Sequence, residues 1–277
     1  PTALQVRVAP RITLDVRVHV PKCVSRGVVV IGIVRRRGLS AAYAYVGGSQ
    51  DNHVVQAVAH TFVRLGLHAV TFDTRGVGES GGRISWTMCP ESEDYQVRFG
   101  LIEAVVDAAL TEIGPPSADA ELYLCVCTNN SPKGIQCWRT AVRGSLTSRA
   151  STAHAPRTGA WSEVPLRYVL LSYPLGVRWA LTSFHGSFFQ RALEQMVRKC
   201  AEGNTRVLLV TTTRDQLRLH RWVAYVLTPD NASWAESLAA PHVLVRSLDE
   251  DHFFLTASSL DALTNVLDAW WADLHPS

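Results

Sequence analysis

The apolar residues of this chain follow two periodicities that alternate along the sequence. Every second residue is apolar in two runs near the N-terminus, residues 4–8 and 14–20, which are separated at Ala9-Pro10. A period of two is typical of strands, and two such runs with a short connection predict an antiparallel hairpin. The unbroken apolar run at 27–34 predicts a strand that is buried on both faces, as strands of a parallel sheet are.

Helical and strand patterns then follow one another to the end of the chain. Apolar residues at helical spacing between 54 and 62 predict a helix, with Asp51 as its N-cap and Gly66 just beyond its last turn. The remaining predicted strands are 69–72, 122–127, 168–172, 207–210 and 243–245, and the remaining predicted helices are 102–110, 135–142, 188–200, 217–226 and 258–271. Strands that alternate with helices indicate an α/β protein with a doubly wound, mostly parallel sheet.

Composition and charge fit a single soluble domain. The chain has 277 residues, of which 47% are hydrophobic and 18% are charged, so it can bury a large core and is not expected to be disordered. We expect one domain over residues 1–277, with inserted loops near 35–46 and 145–165. A net charge of +3 does not indicate nucleic-acid binding, and no apolar stretch reaches the roughly 18 residues of a membrane span.

The cysteines show no metal-binding pattern. The six cysteines are at positions 23, 89, 125, 127, 137 and 200, and none of them forms a C-x-x-C pair. We therefore expect no metal site, and a reducing compartment. The N-terminus lacks the apolar core of a signal peptide, so an intracellular and cytoplasmic location is predicted. A mitochondrial location stays open, because arginines precede the first acidic residue, Asp15.

A glycine-rich segment follows the predicted strand 69–72. Residues 76–81 read GVGESG and fit the G-x-G-x-x-G pattern of dinucleotide-binding loops. Such a loop holds a pyrophosphate at the N-terminus of a helix that begins at the third glycine. Here Gly81 is followed by another glycine and the segment closes at Pro90, which opposes a helix. The sequence therefore predicts neither a dinucleotide nor any other organic cofactor.

Three segments resemble motifs of the α/β-hydrolase superfamily. Residues 73–80, DTRGVGES, resemble the D-x-R-G-x-G-x-S turn that follows a strand in this superfamily. Residues 47–55, GGSQDNHVV, are similar to the G-G-S-x-D-N-x-V-V segment of a small bacterial-type subgroup, and residues 249–254, DEDHFF, resemble its D-H-F-F motif. The segments occur in the subgroup's order, over roughly residues 15–275. The resemblance implies the α/β-hydrolase fold, with the glycine-rich turn as a tight polar loop beside the active site.

The resemblance also implies a serine-hydrolase type of site in which two triad residues are retained. Asp215 follows the predicted strand 207–210 where the family carries its acid, and His252 stands in the D-H-F-F motif where the family carries its base. In such a triad the histidine takes the proton of the nucleophile and the acid fixes the histidine tautomer. Arg75 and Glu79 are expected to fix the glycine-rich loop rather than to react.

The nucleophile position departs from the family pattern. A nucleophile elbow has the sequence G-x-S-x-G because its strained turn needs glycines on both sides of the serine. Val126, Thr128 and Asn130 occupy the positions of Gly, Ser and Gly. A β-branched threonine fits a left-handed elbow poorly. Ser131 is an alternative hydroxyl, three residues beyond the elbow position.

The oxyanion hole of such a site needs two backbone N–H donors. The residue after the nucleophile position supplies one of them, which is Asn129 here. The second donor comes from the loop after the strand 27–34, where the subgroup has an H-P-x-P segment and this chain has Arg35-Arg36-Arg37 instead. Ile33 is the candidate for this donor, although no motif identifies it.

Two functions are consistent with these residues. The first is a divergent α/β-hydrolase-fold protein with a degenerate triad, weakly active or inactive as a hydrolase, that binds a small ester or acyl ligand or a protein partner. The second is an active serine-hydrolase-like esterase or acyl hydrolase that uses Thr128 or Ser131 as a substitute nucleophile. A hydroxyl of either residue within hydrogen-bond reach of His252 favours the second function. The sequence leaves the oligomeric state open.

Overall fold

A single sheet organises the part of the chain that the computed structural model describes, which is residues 1–9, 12–23, 25–34, 49–73, 75–83, 108–109, 111–113, 119–128, 166–171, 205–213, 241–251 and 254–276. Within these ranges the strands of the sheet are β1 (Thr2–Ala9), β2 (Ile12–His19), β3 (Gly27–Val34), β4 (Leu67–Phe72), β5 (Glu121–Thr128), β6 (Leu166–Leu171), β7 (Val207–Thr212) and β8 (Val243–Leu248). The helices that the structure describes over their full length are α1 (His53–Arg64) and α2 (Ala257–Leu274).

The order of the strands in the sheet is β1-β2-β4-β3-β5-β6-β7-β8. β2 is antiparallel to both of its neighbours, β1 and β4, and the other neighbouring pairs are parallel. The predicted mostly parallel sheet with an N-terminal antiparallel hairpin is therefore confirmed. The predicted helices and loops that lie outside the described residues are 135–142, 188–200, 217–226, 35–46 and 145–165.

The N-terminal hairpin forms because its two strands share a buried face. Val6 on β1 pairs with Leu14 on β2, and Val16 continues the buried face along β2. β2 ends at His19, whereas the alternation predicted a strand that continues to Val20. Val20 lies beyond the strand and is exposed, so this end of the predicted strand is one residue too long.

β3 lies in the parallel part of the sheet, between β4 and β5. Its residues from Val28 to Ile31 are buried, as the unbroken apolar run predicts for a strand covered on both faces. Gly27 begins the strand with a φ of 155°, and a Cβ at this position would lie 2.1 Å from the carbonyl oxygen of Glu121 on β5. The spacing of the two backbones at this point therefore requires glycine.

Both helices pack into one core together with aromatic residues of the sheet. The ring of Tyr123 on β5 lies 5.6 Å from that of Phe62 on α1, and 5.8 Å from those of Trp270 and Trp271 on α2, measured between centroids. These rings and the aliphatic residues around them form one buried cluster. No helix in the described part of the chain is both long enough and apolar enough to cross a membrane.

The N-cap of α1 is Asn52, and the prediction of Asp51 is wrong. The side chain of Asn52 accepts a hydrogen bond of 2.9 Å from the N–H of Val54. Asp51 instead forms an ion pair with Arg17 on β2. Gly66 follows the helix with a φ of 91°, so the predicted end of the helix is confirmed.

Candidate functional site

The carboxyl ends of β3 and β5 lie side by side in the sheet. Val34 pairs with Thr128, and Ile33 pairs with Cys127, so two predicted site residues, Thr128 and Ile33, are on neighbouring strands one step apart in register. Thr128 is the last residue of β5. Ligands of doubly wound sheets bind at this edge. Two further predicted residues, Asn129 and Ser131, follow Thr128 and lie outside the described residues.

The segments that lead to Asp215 and His252 begin together at the ends of β7 and β8. The N–H of Thr213 donates to the carbonyl of Leu248 at 2.9 Å, and the hydroxyl of Thr213 donates to Oδ1 of Asp249 at 2.9 Å. Asp215 comes two residues after Thr213, and His252 comes three residues after Asp249. Asp215 and His252 themselves lie outside the described residues, so their roles stay predictions.

Two of the three motif segments meet in a buried polar cluster, here called the Gln50 cluster (Asp15, Gln50, Thr71 and Asp73). The backbone N–H of Gln50 donates to Oδ1 of Asp73 at 2.6 Å, and its side-chain Nε2 donates to the carboxylate of Asp15. The hydroxyl of Thr71 donates to Oε1 of Gln50 at 3.1 Å. All four residues are buried. Gln50 thus ties the segment before α1 to both β2 and β4.

The glycine-rich turn packs against the Gln50 cluster. The hydroxyl of Ser80 donates to the carbonyl of Asp73 at 2.7 Å and accepts from the N–H of Asp15 at 2.8 Å. Gly78 has a φ of 52°, and a Cβ at this position would lie 2.2 Å from Oδ2 of Asp73. Residues 75–83 form turns and bends, and the predicted absence of a helix after the glycines concerns residues from 84 onward, which lie outside the described ranges. In this chain the glycines therefore allow a polar loop to close over a buried carboxyl group.

Burial raises the pKa of Asp73. The pKa rises from 3.8 to about 6, first because the carboxyl group is buried, and the carboxylates of Asp15 and Asp51 add to the rise. The hydrogen bond from the N–H of Gln50 and the charge of Arg17 act in the opposite direction. The folded protein therefore keeps a proton on Asp73 at pH values where the unfolded chain has lost it.

This raised pKa predicts a specific effect of Asp73→Asn on stability. As the pH rises through the window from 3.8 to about 6, Asp73 loses its proton in the unfolded chain but keeps it in the folded protein, so the free energy of unfolding of the wild type falls. Asparagine keeps an acceptor for the N–H of Gln50 and does not ionise. We expect the variant to gain up to about 3 kcal/mol relative to the wild type across this window, measured by urea denaturation.

The control for this prediction is Asp261→Asn, which removes an exposed carboxylate on α2. Both variants are compared with the wild type at the same pH values, so that titration of all other groups cancels in the difference. If the free energies of unfolding of Asp73→Asn and the wild type run parallel from about pH 4 to pH 7, burial does not penalise the ionised form of Asp73.

The Gln50 cluster was not predicted from the sequence. Asp15 lies between Leu14 and Val16 in an alternating strand, where the pattern places it on the face away from these two residues. That face is buried because Gln50 and the turn that carries Ser80 cover it. A charged residue beside an apolar one in a strand does not by itself indicate a buried polar cluster. The order of the strands is needed to show that this face is covered.

No family model and no curated protein matches the sequence. Solved structures match the fold. An α/β serine hydrolase homologue from Coxiella burnetii is 20% identical over 96% of this chain and 95% of that chain, with a TM-score of 0.55. An α/β serine hydrolase without a lid from Xanthomonas campestris is 18% identical over 100% of this chain and 95% of that chain, with a TM-score of 0.57. Est1E from Butyrivibrio proteoclasticus, with bound ferulic acid, is 13% identical over 98% of each chain, with a TM-score of 0.56.

The match extends over nearly the whole of each compared chain, whereas the sequence identities are low. A likeness of this kind is one of architecture and does not by itself carry an activity across. The strand order, the antiparallel hairpin and the parallel strands agree with it. This chain has the α/β-hydrolase fold.

Proposed function

We propose that this protein binds a small ester or carboxylic acid at the carboxyl edge of its sheet and hydrolyses esters only weakly. The observation that carries the proposal is the end of β5. The strand ends at Thr128, beside Val34 of β3, and residues 125–130 read CVCTNN, with neither serine nor glycine. A site of this fold without a serine elbow keeps a place for the ligand and lacks the usual nucleophile.

In this proposal His252 and Asp215 remain as a polar pair that orients the ligand. The hydrogen bonds of Thr213 support it, because they hold the segments before the two residues together at the ends of β7 and β8. The backbone N–H groups of Asn129 and Ile33 are the proposed donors to the carbonyl or carboxylate of the ligand. The reaction needs no metal and no organic cofactor in this scheme.

The proposed ligand class is an aromatic carboxylic acid or its short ester. Est1E, which shares the fold over nearly its full length, was solved with ferulic acid. Such a ligand has one apolar ring and one group that accepts hydrogen bonds, which suits an apolar cleft with a few polar donors. Ferulate is therefore the first compound to test for binding.

The second candidate is an active esterase or acyl hydrolase in which Thr128 or Ser131 is the nucleophile. The observation in its favour is that Thr128, a residue with a hydroxyl, is the last residue of β5. The fold presents its nucleophile from the end of this strand. A threonine can act as a nucleophile when a base accepts its proton.

Labelling by a fluorophosphonate and hydrolysis of short p-nitrophenyl esters distinguish the two candidates. We expect the wild type to remain unlabelled and to hydrolyse the esters at close to the rate in buffer. Thr128→Ser removes the β-branch and restores the serine of the family pattern. We expect this variant to be labelled and to gain about tenfold or more in rate. Ferulate binding, measured by calorimetry, should be the same in both proteins.

Two controls make this result specific. Adding His252→Ala to Thr128→Ser should remove the gain, and Thr128→Val tests whether any labelling of the wild type depends on the hydroxyl. Labelling of the wild type that disappears in His252→Ala would establish the active hydrolase, and the labelled peptide would identify the nucleophile. Failure of the folded wild type to bind ferulate or a p-nitrophenyl ester would refute the proposed ligand class.

A further inference from the structure

A hydrogen bond from the N–H of Phe254 to the carbonyl oxygen of Asp251 closes a turn that contains His252 in its sequence, and Phe254 has an unusual backbone conformation. Phe254 has a φ of 50°, in the left-handed region that bulky residues rarely adopt. Its side chain is fully buried and belongs to the same core cluster as Val54 and Leu263. A strained residue persists only where its surroundings hold it, and such residues are frequent beside functional sites.

His53, the first residue of α1, provides one contact that holds this turn. Its Nε2 lies 3.1 Å from the carbonyl oxygen of Phe254, across 201 positions of sequence. A carbonyl oxygen can only accept a hydrogen bond, so Nε2 carries the hydrogen and the ring donates. The bond therefore joins the start of α1 to the segment that leads into α2.

The start of α1 is itself held in place. Asn52 caps the helix, and Nε2 of Gln56 donates to the carbonyl of Gln50 at 2.6 Å. Gln50 is in turn bonded to the two aspartates of the Gln50 cluster. His53 thus extends from a frame that is anchored in the buried part of the sheet.

The bonds inside the turn are longer than the bond from His53. The N–H of Phe254 lies 3.4 Å from the carbonyl oxygen of Asp251, and the N–H of Leu255 lies 3.4 Å from Oδ2 of Asp251. Hydrogen bonds of this length are weak. The bond of 3.1 Å from His53 is therefore well placed to fix the direction of the peptide after Phe254.

We propose that His53 is a positioning residue for His252. The inference rests on the proposed function, which assigns His252 to the ligand site. His252 comes two residues before the carbonyl that His53 contacts, and we expect the bond to Phe254 to restrict the backbone positions that His252 can take. His53 acts through this backbone and does not contact the ligand.

The test compares His53→Ala, which removes the donor, with His53→Gln, whose amide nitrogen stands at a similar distance from the backbone. We expect amides of residues 251–256 to exchange about tenfold faster in His53→Ala and to return towards the wild-type rate in His53→Gln. We also expect the midpoint of the His252 ring titration, followed by NMR, to move by about half a pH unit in His53→Ala only. His60→Ala, an exposed histidine of the same helix, is the matched control and should change neither quantity.

Unchanged exchange in a folded His53→Ala variant would overturn the inference. It is overturned equally if exchange becomes faster while the ring titration of His252 stays as in the wild type, because the bond would then stabilise the turn without positioning the histidine. Neither readout depends on turnover or on ferulate. If the proposed function is wrong, the wild type does not bind ferulate, but amide exchange and the His252 titration still respond to His53→Ala.

Discussion

Gly27→Ala is expected to destabilise the protein by about 4 kcal/mol or more, which is enough to unfold a domain of ordinary stability. The added Cβ would lie 2.1 Å from the carbonyl oxygen of Glu121, 2.8 Å from its nitrogen and 2.9 Å from its carbonyl carbon. All three are backbone atoms of β5, so no side chain can rotate away. The strands would have to separate at the point where their pairing begins. Yield of folded protein and urea denaturation measure the effect.

Gly82→Ala is the matched control for this prediction. Gly82 also has a positive φ, of 86°, but its Cβ would meet the side chain of Arg75 at 3.4 Å, which is ordinary contact. We expect a loss of about 1 kcal/mol from the left-handed backbone alone. The difference between the two variants isolates the clash with β5. Equal losses in the two variants would show that the strands can move apart at little cost.

Glu121→Ala is expected to cost about 3–5 kcal/mol, because it leaves buried partners without an acceptor. The buried carboxylate of Glu121 accepts from the hydroxyl of Tyr123 and from Nε of Arg167 at 2.8 Å, and Nε2 of His275 lies 3.0 Å from it. The ring of His275 stacks on Trp271, with 4.0 Å between centroids. The substitution therefore unpairs a half-buried guanidinium and a buried phenol, and it loosens the end of α2.

The pKa of Glu121 gives this prediction a dependence on pH. Burial raises the pKa of Glu121, but the hydrogen bonds from Arg167 and Tyr123 together lower it by more than burial raises it. The pKa of Glu121 therefore lies below its usual value. A carboxyl group of this kind stabilises the fold above its unfolded-state pKa, and the contribution is lost as the pH falls through the folded-state pKa. The difference between the wild type and Glu121→Ala should therefore be full at pH 7 and shrink in acid. Urea denaturation at several pH values measures it.

Arg64→Ala is the control for the loss of an ion pair as such. Arg64 on α1 and Asp268 on α2 form an exposed pair at 2.7 Å. Exposed pairs contribute about 0–1 kcal/mol, because solvent screens them. Equal destabilisation by Arg64→Ala and Glu121→Ala would show that burial does not determine how much the contacts of Glu121 contribute to the free energy of unfolding.

The sequence was sufficient to predict the strands because their patterns reflect burial on one face or two. The alternation of β2 and the unbroken apolar run of β3 each correspond to a strand of the expected type. The N-cap of α1 was not predictable in the same way. Asp51 and Asn52 are both good capping residues, and the choice depends on Arg17, which pairs with Asp51 from a neighbouring strand.

The candidate site was predictable only as far as the strand ends. The apolar runs predict where β3 and β5 end. Thr128 and Ile33 lie near these ends, and they are on adjacent strands because β3 pairs with β5. The roles of Asp215 and His252 rest on motif resemblance, Ser131 is only an alternative hydroxyl three residues beyond the elbow position, and all three roles stay predictions. No sequence pattern predicts the role of His53, because its bond to the carbonyl of Phe254 depends on how α1 and α2 pack together.

The position of β3 has a consequence for how the chain is made. β4 follows β3 closely in sequence and can pair with it early, whereas β5, which pairs with the other side of β3, emerges much later during synthesis. Until then one side of β3 presents unpaired N–H and C=O groups along an apolar segment without charge. Such an open edge is a site for association between nascent chains. This edge of β3 is covered only when residues 121–128 have been made and have paired with it.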